Sequence, residues 1–228
     1  YGPMGWVDMM DANVIDHNAY SKFAFDWETP FVVSGACEIN LKPAVTSGES
    51  VLLPSAKGWN GSAFDEYLLL EYYTPTGLNA KDAAAPYPGN NVQGFTENGI
   101  RIYHVDARMA KCDSKGFVSY TDSIVSDETY YTTTAHSNSN AYNVTDTAFR
   151  LIQEMDCTKK RNFDTDLEDG MPCLADDSTL FQKGDSFTLS AYSASFPSKS
   201  MNDGSAFPYR ISFGEETADG AQVTISVL

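Results

Sequence analysis

The sequence predicts a mainly β protein: an antiparallel β-sandwich, or a jelly-roll-like relative, over residues 34–228, preceded by a short, partly helical stretch over residues 1–33. Three observations carry that expectation. Tyr and Phe number thirteen each, and long Ala/Leu/Lys/Glu stretches are scarce, which favours strands. Short β-prone segments recur between clusters of Gly, Pro, Asn and Asp. Several of those segments alternate apolar and polar residues with period two.

Residues 1–11 are rich in Gly and Met and read as turn. Asp16 is placed to cap a short helix through Phe25, in which Ala19, Tyr20, Phe23 and Ala24 share one face. Pro30 closes this section. Ser34-Gly35 and Pro43 to Gly48 are breakers around short strands. Phe64 to Thr74 carries apolar residues on both faces and predicts a central, covered strand. Gly77 to Asn98 holds three Gly, two Pro and four Asn and predicts a long exposed loop. Gly99 to Ala107 predicts a second buried strand. Thr129 to Thr134 and Thr147 to Met155 follow as strands, although the pattern of residues 150–155 fits a helix equally. Beyond an acidic loop at Phe163 to Asp177, residues 187–192, 208–213 and 222–228 alternate, with turns at Asn202-Asp203-Gly204 and Asp219-Gly220. No repeat of fixed period is present.

The net charge is −16, from 31 acidic and 15 basic residues. A chain so acidic repels phosphate backbones and anionic membranes, so neither nucleic acid nor a membrane surface is expected as a partner. No apolar run approaches the roughly 20 residues that span a bilayer, so no membrane span is expected. The chain opens at Tyr1 without a basic and then apolar leader, which suggests a piece of something longer. The four cysteines are Cys37, Cys112, Cys157 and Cys173. A Cys157–Cys173 bridge would close a loop of about 15 residues, worth about 3 kcal/mol; free buried thiols fit equally well. Their spacing lacks the paired knuckles of a zinc site.

Three histidines limit the chemistry. His17, His104 and His136 include no pair at i, i+4, so the HExxH arrangement is absent. No GxSxG elbow, P-loop or GxGxxG fingerprint occurs. His104 and Asp106 point to one face of a strand: either an oriented base or, more plainly, a structural hydrogen bond. His17 beside Asp16 reads as a helix-start contact, and His136 as a solvated turn residue. Glu66 and Glu71, five apart on a strand, point to opposite faces and do not form an acid/base couple. A buried Glu71 needs a partner, and Arg101 on the other buried strand is the natural one. Asp164, Asp166, Glu168 and Asp169, followed by Gly170, place oxygens as a Ca²⁺ loop does. The glycine falls one place late for an EF-hand, however, and Ala175 stands where the closing Glu would be. A solvated acidic loop is the alternative.

Residues 6–30 carry Trp6, Asp8, Met9, Met10, Asn13, Asp16, His17, Ser21, Lys22, Trp27 and Pro30 in an order that resembles the end of the catalytic domain in the immune inhibitor A-like zinc metallopeptidases (peptidase family M6). The blocks at 66–79, 99–108, 136–143, 149–156 and 181–213 resemble that family's post-catalytic β domain, so the likeness spans most of the chain. It implies that residues 1–33 are the C-terminal end of a zincin-like catalytic domain. Met9 or Met10 would be the Met of the turn beneath the metal, and Asp16 and His17 would lie at the edge of the active site. The zinc ligands, and the Glu acting as base, would lie in an upstream segment outside this sequence. The chain itself would then hold no catalytic residue and be inactive alone. Its partners would be the upstream catalytic domain and protein substrates, in a secreted or cell-surface bacterial setting. A different reading is a surface binding or adhesion module without peptidase activity, using the 77–98 loop and the Tyr-rich strands.

Overall fold

The computed structural model describes all residues except 1, 12, 87, 90–91, 139–148, 164–166 and 169–170. The described chain is mainly β with antiparallel sheets. A five-stranded sheet runs in the order β1 (Phe31–Val32), β3 (Ser50–Pro54), β4 (Glu66–Tyr73), β5 (Gly99–Asp106) and β9 (Ile152–Glu154). A four-stranded sheet holds β12 (Ser186–Phe187), β13 (Tyr209–Thr217), β14 (Gly220–Val227) and β2 (Cys37–Leu41). A three-stranded sheet holds β7 (Gly116–Tyr120), β6 (Met109–Asp113) and β8 (Tyr131–Thr134), and β10 (Leu167–Glu168) pairs with β11 (Met171–Pro172). Among the named strands only β1 and β3 pair in parallel. No helix among the described residues is long and apolar enough to cross a membrane.

Strands β4 and β5 are the centre, buried along their whole length on both faces. That double burial is why their sequences read as nearly unbroken apolar runs instead of alternating. Leu68, Leu70, Ile100 and Ile102 point one way, into a core shared with Phe187, Ile211, Phe213, Val223 and Ile225 of the four-stranded sheet. Tyr67, Leu69, Tyr103 and Val105 point the other way, under Met4, Ala19 and Tyr20. Full burial of one such leucine contributes about 1.5–3 kcal/mol. Register sets this division, because a one-residue slip of β4 would exchange the two faces.

Residues 1–33 join this framework directly. The Glu154 amide donates to the Pro3 carbonyl, the Ala175 amide donates to the Gly5 carbonyl, and β1 extends the five-stranded sheet. Helix α1 spans Ala19–Ala24. Its cap is Asn18, whose side chain accepts from the Ser21 amide at 2.8 Å, and not Asp16. Asp16 is drawn away by Lys22, whose Nζ lies 2.6 Å from its Oδ2.

The structure departs from the sequence expectations at several other places. The expected 77–98 loop holds a 3-10 turn at Gly77–Asn79 and a helix at Ala80–Ala84. Its Asn79 and Asp82 side chains accept from the amides of Asp16 and Val14, contacts more than 60 residues apart that no local pattern reports. Pro43 to Gly48 encloses a one-turn helix, Ala44–Ser47. The alternation at 187–192 forms no single strand: after β12 the chain turns through a 3-10 helix at Leu189–Ala191. That turn stacks Phe187 on Tyr192 with ring centroids 4.6 Å apart. Cys37, Cys112 and Cys157 are free thiols, so the Cys157–Cys173 bridge is not formed.

Candidate functional site

Two polar clusters sit on opposite faces of the β4–β5 pair. On the face under residues 1–33, register places Glu71 opposite Arg101, and Tyr103 opposite Glu154 of β9. Arg101 is 2% exposed. Its Nε donates to Glu154 Oε1 at 2.8 Å and its Nη2 to Oε2 at 2.6 Å, a bidentate fork. The same Nη2 donates to the Val7 carbonyl at 2.7 Å, and Nη1 lies 3.5 Å from Glu71 Oε1. Glu71 accepts further from the Tyr103 hydroxyl and, at 2.9 Å, from the Ala19 amide at the start of α1. Burial pushes both carboxyls above their ordinary range, with the Arg101 charge opposing that rise. The partnership expected between Glu71 and Arg101 is present. Glu154 is the closer partner; the parity of β9 places it on this face, but no motif in the sequence marks it.

The chain that leads into the Met9–Met10 turn meets this cluster at the Val7 carbonyl. Gly5 and Trp6 both have left-handed backbones, φ 60° and 64°. A side chain at residue 5 would meet the Ala175 Cβ at 2.5 Å. Asp8 is buried and accepts from the Met10 amide at 3.1 Å and from Asn18 Nδ2 at 2.7 Å, tying the turn to the cap of α1. Met9 and Met10 are themselves exposed. Met10 lines a cavity of about 380 Å³ with Met4, Asp8, Tyr20, Phe25 and Ile152. Asp16 and His17 do not line that cavity. They border a separate void of about 10 Å³ with Glu71, Asn79 and Arg101, room for about one water. The His17 ring lies 5.2 Å from Trp27 and 6.4 Å from Phe25, edge-on to both. Its Nδ1 is buried without a hydrogen-bond partner.

On the opposite face, Glu66 of β4 stands across from Asp106 of β5. His104 Nε2 lies 2.8 Å from Glu66 Oε1, so the carboxylate partner of His104 is Glu66 rather than Asp106. Asp106 accepts twice from Arg108 at 2.7 Å and lies 3.2 Å from His136 Nε2. His136 is fully buried here, a correction to its reading as a solvated turn residue; the Asp106 carboxylate, 30 residues away on β5, decides its position. Burial alone would raise Asp106, but hydrogen bonds and charge from Arg108 and His136 hold its carboxyl below the usual range. The backbone amides of Asn202 and Asp203 donate to Glu66 at 2.5 and 2.9 Å, and Asn202 Nδ2 donates to Asp106 at 2.9 Å. Every carboxylate here is occupied by donors, which makes the cluster a staple for the 202–203 turn. A cavity of about 290 Å³ opens beside His104, lined also by Phe149, Gln153, Asn162 and Phe196.

Among the described residues no group of three or more His, Cys, Asp or Glu is placed to hold a metal ion. Of the calcium candidates, Asp164, Asp166 and Asp169 lie outside the described residues, and Glu168 is placed only by its backbone in β10. No protein-family model matches the sequence, and no curated protein or solved structure is significantly similar to it.

Proposed function

We propose that this chain is the C-terminal, non-catalytic part of a secreted zinc metalloendopeptidase of the immune inhibitor A-like kind. In this reading the two larger sheets form a β-sandwich through their shared core, and residues 1–33 are the edge of a zincin-like catalytic domain. The chain supports that domain and substrate access to it, while the zinc ligands lie upstream. The observation that supports the reading most is where apolar surface is left uncovered. Of sixteen exposed large hydrophobics among the described residues, six fall between Met9 and Phe31: Met9, Met10, Val14, Phe25, Trp27 and Phe31. Phe25 and Trp27 lie 5.1 Å apart and Phe25 shares the 380 Å³ cavity with Met10. A group of exposed hydrophobics such as Met10, Phe25 and Trp27 marks a surface that is covered in a larger assembly, and it lies in the segment that resembles a catalytic-domain edge.

The coding sequence upstream of Tyr1 tests the reading. An HExxHxxGxxD segment is expected within about one domain length. The longer polypeptide should cleave casein and lose that activity to a chelator, whereas residues 1–228 alone should do neither and bind no stoichiometric zinc. An upstream sequence without the motif sinks the peptidase reading and leaves the binding-module reading standing.

A further inference from the structure

We propose that Arg101 is a positioning residue: through the Val7 carbonyl and its two carboxylate partners it sets the conformation of the turn that presents Met9 and Met10. The functional half of this inference rests on reading residues 1–33 as the edge of a catalytic domain. The structural half does not.

Three observations converge on it. First, Arg101 is immobilised far beyond the needs of one ion pair. Its guanidinium is held by the Glu154 fork, lies 5.2 and 5.0 Å from the Phe95 and Tyr103 ring centroids, and has almost no exposure. A rigid planar guanidinium aims the second N–H of its Nη2 along one line, and that N–H meets Val7. Second, Val7 begins a short hydrogen-bonded relay. The next residue, Asp8, holds the Met10 amide and the Asn18 side chain, Asn18 caps α1, and Glu71 takes the Ala19 amide. Glu71 is itself a partner of Arg101, so the network grips the chain at both ends of residues 7–19. Third, the chain that leads into the turn is not in a conformation it adopts unaided. Trp6 has φ 64° directly after Gly5 at φ 60°, and a bulky residue in the left-handed region persists only where its surroundings impose it.

A general stabiliser and a positioning residue respond differently to substitution. Arg101→Lys keeps the charge but cannot span Glu154 and Val7 with one planar group. Glu154→Gln keeps the shape but leaves the guanidinium one acceptor in place of two, and serves if the lysine variant folds poorly. Amide hydrogen exchange on residues 1–228 is the first measurement. The expected result is at least tenfold faster exchange at residues 5–11 and 19–22, with β13 and β14 changed less than twofold. Uniform acceleration across both sheets, or none at residues 5–11, overturns the proposal. The second measurement uses the longer polypeptide carrying the HExxH segment. There Arg101→Lys should lower kcat at least tenfold, leave KM within twofold and retain one zinc per chain. An unchanged kcat overturns the functional half even if exchange is localised. If no HExxH segment lies upstream, the peptidase reading and that half fail together, and exchange alone decides whether Arg101 positions the turn.

Discussion

The two polar clusters of the β4–β5 pair differ by five residues along one strand, yet they do different work. Glu66 and Glu71 point to opposite faces, and each carboxylate receives a backbone amide from a distant segment: Asn202 and Asp203 for one, Ala19 for the other. At Glu66 the two carboxylates face Arg108 and two imidazoles, and Asp106 is held strongly acidic. At Glu71 two buried carboxylates share one guanidinium, and burial prevails, raising both. Donors from Arg108, the imidazoles and the amides of residues 202 and 203 make the first a staple. The second holds the chain that enters the Met9–Met10 turn, beside exposed apolar side chains.

The largest break in this comparison is Arg101→Met. It strips the cation from two buried carboxylates and should cost about 3–5 kcal/mol in urea unfolding at pH 7, as loss of one partner from a buried pair does. Asp106→Asn should cost less, about 2 kcal/mol, because Arg108 can turn towards solvent while His136 cannot. Its pH dependence is diagnostic. A depressed folded-state carboxyl contributes stability that is present above its ordinary 3.8 and lost as pH falls through the lower folded value. The gap between wild type and Asp106→Asn should therefore close below that pH, and a gap independent of pH would refute the assignment.

Glu28 carries the same test to the edge of the Glu71 side. Burial, opposed by the nearby Ser50 hydroxyl and aided by the Glu71 charge, pushes its carboxyl from 4.5 to about 7. A raised carboxyl binds its proton more tightly in the folded state, so stability falls as pH rises from 4.5 to 7 and then levels off. Glu28→Gln should remove that slope and gain about 1 kcal/mol at pH 8, discounted for partial exposure. Thermal melts across pH 4 to 8 would show it. The smallest effect belongs to the exposed pair Lys183–Glu215: Lys183→Ala should shift stability by less than about 0.5 kcal/mol, giving a baseline for the buried variants.

Much of the centre was legible beforehand. β4 and β5 were readable because double burial demands an apolar run, and the Glu71–Arg101 pairing because a buried carboxylate demands a cation. The end of the chain was readable from its alternation and turns, which appear as the β13–β14 hairpin. What escaped had partners far away in sequence. Asn79 and Asp82 looked like loop residues until Asp16 and Val14 supplied amides to cap. Asp16 looked like a helix cap until Lys22 claimed it. His136 looked solvated because its neighbours are Ser and Asn, whereas Asp106 buries it.

The sequence by itself determined a mainly β chain, its doubly buried central strands and the opposite facing of Glu66 and Glu71, because strand period and burial are local consequences of residue order. Only the tertiary structure decided that Glu154 completes the Arg101 fork, that Asn18 rather than Asp16 caps α1, and that the Met9–Met10 turn hangs from Val7 on that fork. Those choices rest on competition among donors and acceptors up to 94 residues apart, which is settled only when the sheet brings them within about 3 Å of one another.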